Sequence, residues 1–289
     1  MAPRAVRTEL FLVSCFLAEG CLDQEDNMKA SVILRTAVIA LTLAGMAAIT
    51  PVSPQAASIA PESPTAGIWY VAPGGSDDND CATPATPCAT IDAPQGKLLF
   101  ADDDTIRVTT GTYIPSTPFP DPYHEGLVVR IYRRLTLSGG WNSDYTQQTG
   151  IVTIDGQNKD DGLRVEAEAI VDRFTVLNSK SWGISAGSAS LTLTRSTVSG
   201  SAGGGISVGN GSLTLVDSVV SGNKSSYWGA GIWDPNSDGS VTLINSIVSE
   251  NTSSRDGGGL AVNSPLTLVN STVTGLWPFG LGGWHTALC

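Results

Sequence analysis

The sequence predicts an all-β solenoid, a parallel β-helix built from three-strand rungs. One phrase recurs five times from residues 169, 191, 213, 241 and 266, as AIVDRFTVLN, LTLTRSTVSG, LTLVDSVVSG, VTLINSIVSE and LTLVNSTVTG. A glycine-led apolar patch follows each of the first four copies. The copies start 22 to 28 residues apart, which is a spacing typical of solenoids. One rung cannot bury its own apolar face, so stacked rungs are needed to form the core.

Each copy contains the pattern of three short strands. In Leu191-Thr192-Leu193 the leucines are expected to point inward and the threonine outward, because side chains alternate along a strand. A bend at Arg195 and a second strand at 196–198 follow, and the third strand at 205–208 comes after the glycine-rich turn. Stacking then predicts an outer column on the first face, formed by Thr192, Thr214, Thr242 and Thr267.

The segments outside the repeats have different compositions. Lys29 and Arg35 precede an apolar run, Thr36–Thr50, which is the layout of a secretory signal and is too short for a membrane span of roughly 20 residues. An alternative interpretation takes Leu12–Cys15 as a lipoprotein signal. The predicted organisation is an upstream extension (1–27), a signal peptide (28–58), a linker (59–67), an N-terminal cap with the first rungs (68–133), the repeats (134–275) and an aberrant tail (276–289) that is either a plug or a truncation product.

The cap segment has less regular sequence patterns than the repeats. Thr90 to Phe100 predicts a short helix with Thr90 as its cap, and Pro94 limits that helix to a turn or two. Cys81 and Cys88 bracket a short loop, and two nearby cysteines in an exported chain more often form a disulfide than a metal site. Strand patterns follow at 104–108, 127–131 and 135–137.

Charge excludes one class of partner. Lys and Arg number 16 against 27 Asp and Glu, which gives a formal net charge of −11. A chain this acidic, with no basic patch, repels phosphate backbones. Nucleic acid is therefore not expected as a partner, and the mature chain is expected to be a monomer with no transmembrane span.

Three strings carry a resemblance to a known family: YVAPGGSDDNDCATPATPCATI from Tyr70, DDTIRVTTGTY from Asp103 and LTLSGGWNSDY from Leu135. They resemble the opening of bacterial secreted right-handed parallel β-helix proteins of the pectin-lyase-like superfold. The repeats resemble the surface-exposed group with LTLxNSTVSGN and GGGI phrases, although the FxxN element of polymorphic outer-membrane proteins is missing. The resemblance spans residues 68 to 275 and implies a secreted or cell-surface protein. Pro94 departs from the uninterrupted helix that the family has at the cap.

The resemblance also raises the question of catalysis. The GHG and NTD motifs of the hydrolases are absent, and the repeats contain no histidine. The best acidic and basic set for a polysaccharide lyase is Asp234, Asp238, Arg255 and Asp256. In the competing interpretation these residues only make turns and satisfy backbone groups.

Aromatic residues support a different hypothesis. Four of them fall near the third strand or the turn before it: Trp182, Tyr227, Trp228 and Trp233. Exposed aromatic rings stack on the apolar faces of sugars, although the same rings could instead pack beneath the insertions.

The sequence therefore predicts a noncatalytic scaffold that binds glycans, such as a polysaccharide, or another cell-surface component through its insertions. A polysaccharide lyase or glycoside hydrolase acting on acidic polysaccharide is the alternative. No cofactor is expected. Calcium is an open possibility at three acidic runs, Asp77–Asp80, Asp102–Asp104 and Asp160–Asp161, although solvated turns explain them as well.

Overall fold

A computed structural model describes residues 66–115, 126–227, 229–255 and 257–275. The predicted leader and the tail after Gly275 lie outside these ranges, together with Trp228 and Asp256. In the described ranges no helix is long and apolar enough to cross a lipid bilayer.

The chain passes through three parallel sheets in a repeating order, which makes it a parallel β-helix. Sheet A contains β1 (Ile68–Val71), β2 (Asp104–Thr109), β5 (Leu135–Trp141), β8 (Ala169–Asp172), β11 (Leu191–Thr194), β14 (Leu213–Val216), β18 (Val241–Ile244) and β22 (Leu266–Val269). Sheet B contains β3 (Gly111–Tyr113), β6 (Val152–Asp155), β9 (Phe174–Leu177), β12 (Thr197–Ser199), β15 (Val219–Ser221), β19 (Ile247–Ser249) and β23 (Thr272–Val273). Sheet C contains β4 (Leu127–Ile131), β7 (Asp161–Val165), β10 (Trp182–Ser185), β13 (Gly204–Ser207), β17 (Ile232–Asp234) and β21 (Leu260–Val262).

The register of sheet A confirms the predicted alternation. Leu191 pairs with Leu213, and Thr192 pairs with Thr214, so like residues lie directly above one another. The predicted outer column is confirmed, because the same register continues through the remaining copies to Thr242 and Thr267. The leucines of the first three of these copies are buried, and together with the valines and isoleucines of sheets B and C they form one continuous core.

The bend between sheets A and B has a left-handed backbone in every copy. The five bend residues have φ between 46° and 62° and are Arg173, Arg195, Asp217, Asn245 and Asn270. Asparagine and aspartate tolerate this conformation better than other non-glycine residues, and three of the five copies have one of them there. In the copies that start at 191, 213 and 241 a buried serine follows the bend, and its hydroxyl accepts a hydrogen bond from a backbone N–H of the previous rung, as Ser218 does from Ser196.

The corner between sheets B and C has an incomplete ladder of buried polar side chains. Asn223 and Asn251 are stacked and hydrogen-bonded to each other at 3.0 Å. The two preceding rungs have Ser179 and Ser201 at the same position, and their buried hydroxyls have no hydrogen-bond partner in the described part of the chain.

Ser201→Asn is expected to extend this ladder and to raise the free energy of unfolding by about 1 kcal/mol. The new amide would accept from the N–H of Ser179 and donate to the carbonyl of Val176, as Asn223 does one rung later with Ser201 and Val198. Urea unfolding of the two chains measures the gain. Ser199→Asn, on the outer face of β12, should give no increase, and a loss of stability in Ser201→Asn would contradict the expectation.

The cap differs from the predicted helix. Only a 3₁₀ turn forms, at Ala93–Gly96, with proline near its start. Leu98 and Leu99, which lie within the span predicted as helix, are 98% and 83% exposed. The proline ring restricts the backbone and removes a donor, so the segment does not continue as an α-helix.

Other interactions hold the cap in place. Cys81 and Cys88 are buried and joined by a disulfide, with their Cα atoms 5.1 Å apart. The buried carboxylate of Asp104 accepts hydrogen bonds from the indole N–H of Trp69 at 2.7 Å and from the backbone of Ala101 at 2.8 Å. These contacts join β1 to the first full rung.

Candidate functional site

Strand β17 in sheet C lies between two insertions into the repeat. The connection before it contains β16 (Lys224–Ser225), which pairs with β20 (Thr252–Ser253) of the next rung to form a separate two-stranded sheet. The connection after it is the loop that runs from Asp234 to Gly239. The strand itself places Trp233 on the outer surface, between the buried side chains of Ile232 and Asp234.

Trp182 and Trp233 form a stacked pair. Their ring centroids are 5.6 Å apart and their planes differ by 9°. The two residues lie on β10 and β17, which are separated by β13, so the rings meet across an intervening strand. We call this pair the tryptophan platform. Both residues are only partly buried, so the platform presents aromatic surface to solvent.

A glycine beneath the platform makes the stack possible. Gly204 of β13 pairs with Trp182, and a Cβ built on Gly204 would lie 2.1 Å from the indole ring. Gly204 also has φ of +136°, which a residue with a side chain rarely adopts. The ring therefore occupies the space that any other residue at this position would fill.

Tyr227 belongs to the same region but has a different neighbour. It is 65% exposed, and the guanidinium of Arg255 lies 5.6 Å from its ring centroid. The carbonyl of Tyr227 accepts a hydrogen bond from the hydroxyl of Ser253, which fixes the insertion to the following rung. Trp228, the fourth predicted aromatic residue, lies outside the described residues.

The predicted catalytic set contains one buried carboxylate. Asp234 is 1% exposed and pairs with Val262, so it occupies an inward position that valine fills in the next rung. Its carboxylate accepts hydrogen bonds from the backbone of Asn236 at 3.2 Å and from the hydroxyl of Ser264. These contacts hold the loop after β17 and leave Asp234 without access to a ligand on the outer face.

The other members of that set lie in different surroundings. Asp238 is exposed in the loop after β17, and Arg255 is exposed beside Tyr227. Asp256 lies outside the described residues. Within the ranges that the structure covers, no three His, Cys, Asp or Glu side chains are grouped closely enough to hold a metal ion.

The acidic runs proposed for calcium bond to donors of the chain itself. Asp77 accepts two backbone hydrogen bonds at 2.9 Å, from Ala89 and Thr90. Asp103 forms an ion pair with Arg134 at 2.5 Å, and the hydrogen bond from that guanidinium lowers the pKa of the carboxyl. Asp77 and Asp103 therefore have hydrogen-bonding partners within the chain.

Two charged residues lie beside the platform: Asp161, which the sequence suggests only as part of an acidic run for calcium, and Arg164, which is not among the predicted site residues. Asp161 accepts a hydrogen bond from the N–H of Ser181 at 2.9 Å, and burial raises the pKa of its carboxyl. Arg164 is exposed and pairs with Ser185 of β10. Aligning the third strands of successive rungs would have identified both, because the register places them one rung above the first tryptophan.

Comparison with known proteins finds solved structures that match this chain at low sequence identity. No protein-family model matches the chain, and no curated protein matches it. A rhamnogalacturonan lyase has a TM-score of 0.39 and 13% identity over 71% of this chain and 62% of its own. Pectate lyase Pel9A has a TM-score of 0.42 and 14% identity over 72% of this chain and 63% of its own. The chain spans less than two thirds of either structure, and its assignment as a parallel β-helix rests on its own strand pairing.

Proposed function

We propose that the protein is an exported, noncatalytic β-helix scaffold that binds glycans through the outer face of sheet C. The stacked Trp182 and Trp233 rings carry the proposal. The two rings are stacked parallel to each other, and the outward face and edges of the pair offer apolar surface on which a pyranose ring packs. The indole N–H groups remain able to donate hydrogen bonds. The insertions on either side of β17 border this surface.

The buried position of Asp234 supports binding rather than catalysis. A general acid or base needs to reach the substrate proton directly or through one water. Asp234 instead accepts bonds from Asn236 and Ser264 in the interior. A lyase centre on this face would therefore have to work without the most central carboxylate of the predicted set.

Export is the second part of the proposal. The signal peptide predicted at 28–58 lies outside the described residues, and the disulfide between Cys81 and Cys88 is of the kind that persists in oxidising compartments. Secretion of a fusion between residues 28–67 and a reporter enzyme would test this part directly.

Trp182→Ala and Trp233→Ala are each expected to weaken glycan binding by about ten-fold or more, equivalent to about 1.4 kcal/mol, because each removes one ring of the stacked pair and the packing that orients the other. Binding is measured by calorimetry and by retention on insoluble polysaccharides. Trp141→Ala is the matched control, since Trp141 packs over Arg107 on sheet A, away from the platform.

Release of oligosaccharides from any polysaccharide in the same screen would contradict the noncatalytic proposal. Asp238→Ala and Arg255→Ala would then decide whether the exposed members of the predicted set perform the reaction. Binding that survives both tryptophan substitutions would instead move the site away from sheet C.

A further inference from the structure

Among the described residues, the outward positions of sheet C in register with Trp233 are uncharged over four strands. Four residues from four consecutive strands are in register there and point outward: Ser185, Ser207, Trp233 and Ala261. With strands about 4.8 Å apart, the four rungs give an uncharged strip about 14 Å long.

We propose, on the basis of the proposed glycan-binding function, that this strip selects neutral glycans over polyanionic ones. A polyuronate carries a carboxylate on every sugar residue. Packing such a chain on the indole rings would remove water from several carboxylates, and a desolvated charge without a partner is strongly unfavourable. The strip offers hydroxyl and aromatic groups, which match the hydroxyls and C–H faces of neutral sugars.

The charged groups at the upper end of the strip carry no net positive charge. Arg164 continues the outward column one rung above Ser185 and could pair with one ligand carboxylate. Asp161 lies in the same strand, with Asp160 and Lys180 close to it. Two cations and two carboxylates thus meet at this end, and they provide no excess positive charge for a polyanion.

Asp161 is assigned as the residue that enforces the choice. Ile184 pairs with Leu163, and counting back two residues on each strand places Trp182 level with Asp161. The hydrogen bond from Ser181 to the Asp161 carboxylate fixes this negative group beside the first ring. A ligand carboxylate placed there would be repelled by Asp161.

The test compares polymers that differ only in charge. Oligosaccharides of glucan, galactan and mannan type are each paired with the C6-oxidised uronan of the same linkage and length, and affinities are measured by calorimetry with the full chain. The neutral member of the bound pair is expected to bind at least about ten-fold more tightly, since like charges at an interface oppose association. Asp161→Asn, which keeps an oxygen to accept from Ser181, should reduce that ratio about three-fold by improving uronan binding.

Asp217→Asn is the control, because it makes the same charge change on the bend between sheets A and B. It should leave the ratio unchanged, which separates a local effect from one of net charge. Uronan binding that equals or exceeds neutral binding in the unmodified chain would overturn the preference while leaving glycan binding intact. If no neutral or oxidised polymer binds, both the preference and the proposed function are wrong.

Discussion

Asn223→Ala is expected to lower the free energy of unfolding by about 3 kcal/mol or more, because it leaves several buried polar groups unpaired. Asn223 is 0% exposed. Its carbonyl oxygen accepts from the N–H of Ser201 at 3.0 Å, and its amide donates to the carbonyl of Val198 and to the side chain of Asn251, each at 3.0 Å. Each orphaned group costs about 1–3 kcal/mol when it is left without water or a partner.

The loss is measured by urea or thermal unfolding followed by circular dichroism. Asn236→Ala is the matched control, because Asn236 is exposed in the loop after β17 and its substitution should stay within about 0.5 kcal/mol. Equal midpoints for the Asn223 and Asn236 variants would show that the ladder does not stabilise the corner. An Asn223→Ser variant removes the same amide with a smaller change of side chain, since serine occupies this position in two other rungs.

The ladder and the sheets were predictable to different degrees. The alternation of Leu191, Thr192 and Leu193 follows from strand geometry alone, and the recurrence of the phrase fixes which residues lie above one another. The bonds of Asn223 depend on how sharply the chain turns between sheets B and C. The hydrophobic pattern does not encode that angle, so it does not indicate that this asparagine is buried.

The platform was predictable only as a group of candidates. Trp182 and Trp233 were singled out because both lie at the third strand, but their contact requires the absence of a side chain at Gly204 and a shared outer face across β13. Asp234 shows the opposite case. Alternation along the strand from Ile232 and Trp233 predicts an inward side chain at Asp234. The prediction that Asp234 is a catalytic candidate treated it as a loop residue and did not apply this alternation.

The site also depends on backbone contacts inside the solenoid, and the glycine column shows this most directly. In the third strands of consecutive rungs, Gly183, Gly205 and Gly231 each face the carbonyl oxygen of the glycine in the next rung. A Cβ built on these residues would lie between 2.3 and 2.8 Å from that oxygen. Successive rungs therefore approach each other here more closely than a residue with a side chain allows.

Gly231→Ala is accordingly expected to destabilise the protein by about 3 kcal/mol and to weaken glycan binding in the same variant. The new methyl would lie 2.3 Å from the carbonyl of Gly259, which belongs to the backbone and cannot rotate away. Relief requires β17 to move, and β17 carries Trp233, so the tryptophan stack should open as well. Near-ultraviolet circular dichroism of the stacked indoles reports this opening, and calorimetry reports the loss of binding.

Gly74→Ala provides the control, because a Cβ at Gly74 would have no heavy atom within 4 Å. Its stability should change by less than about 0.5 kcal/mol, and its tryptophan spectrum should match that of the unmodified chain. A Gly231→Ala protein with normal stability but altered indole spectrum would mean that β17 moves freely relative to the core. Normal values for both would show that the rungs can separate at this corner, and the tryptophan platform would then not depend on the glycine column.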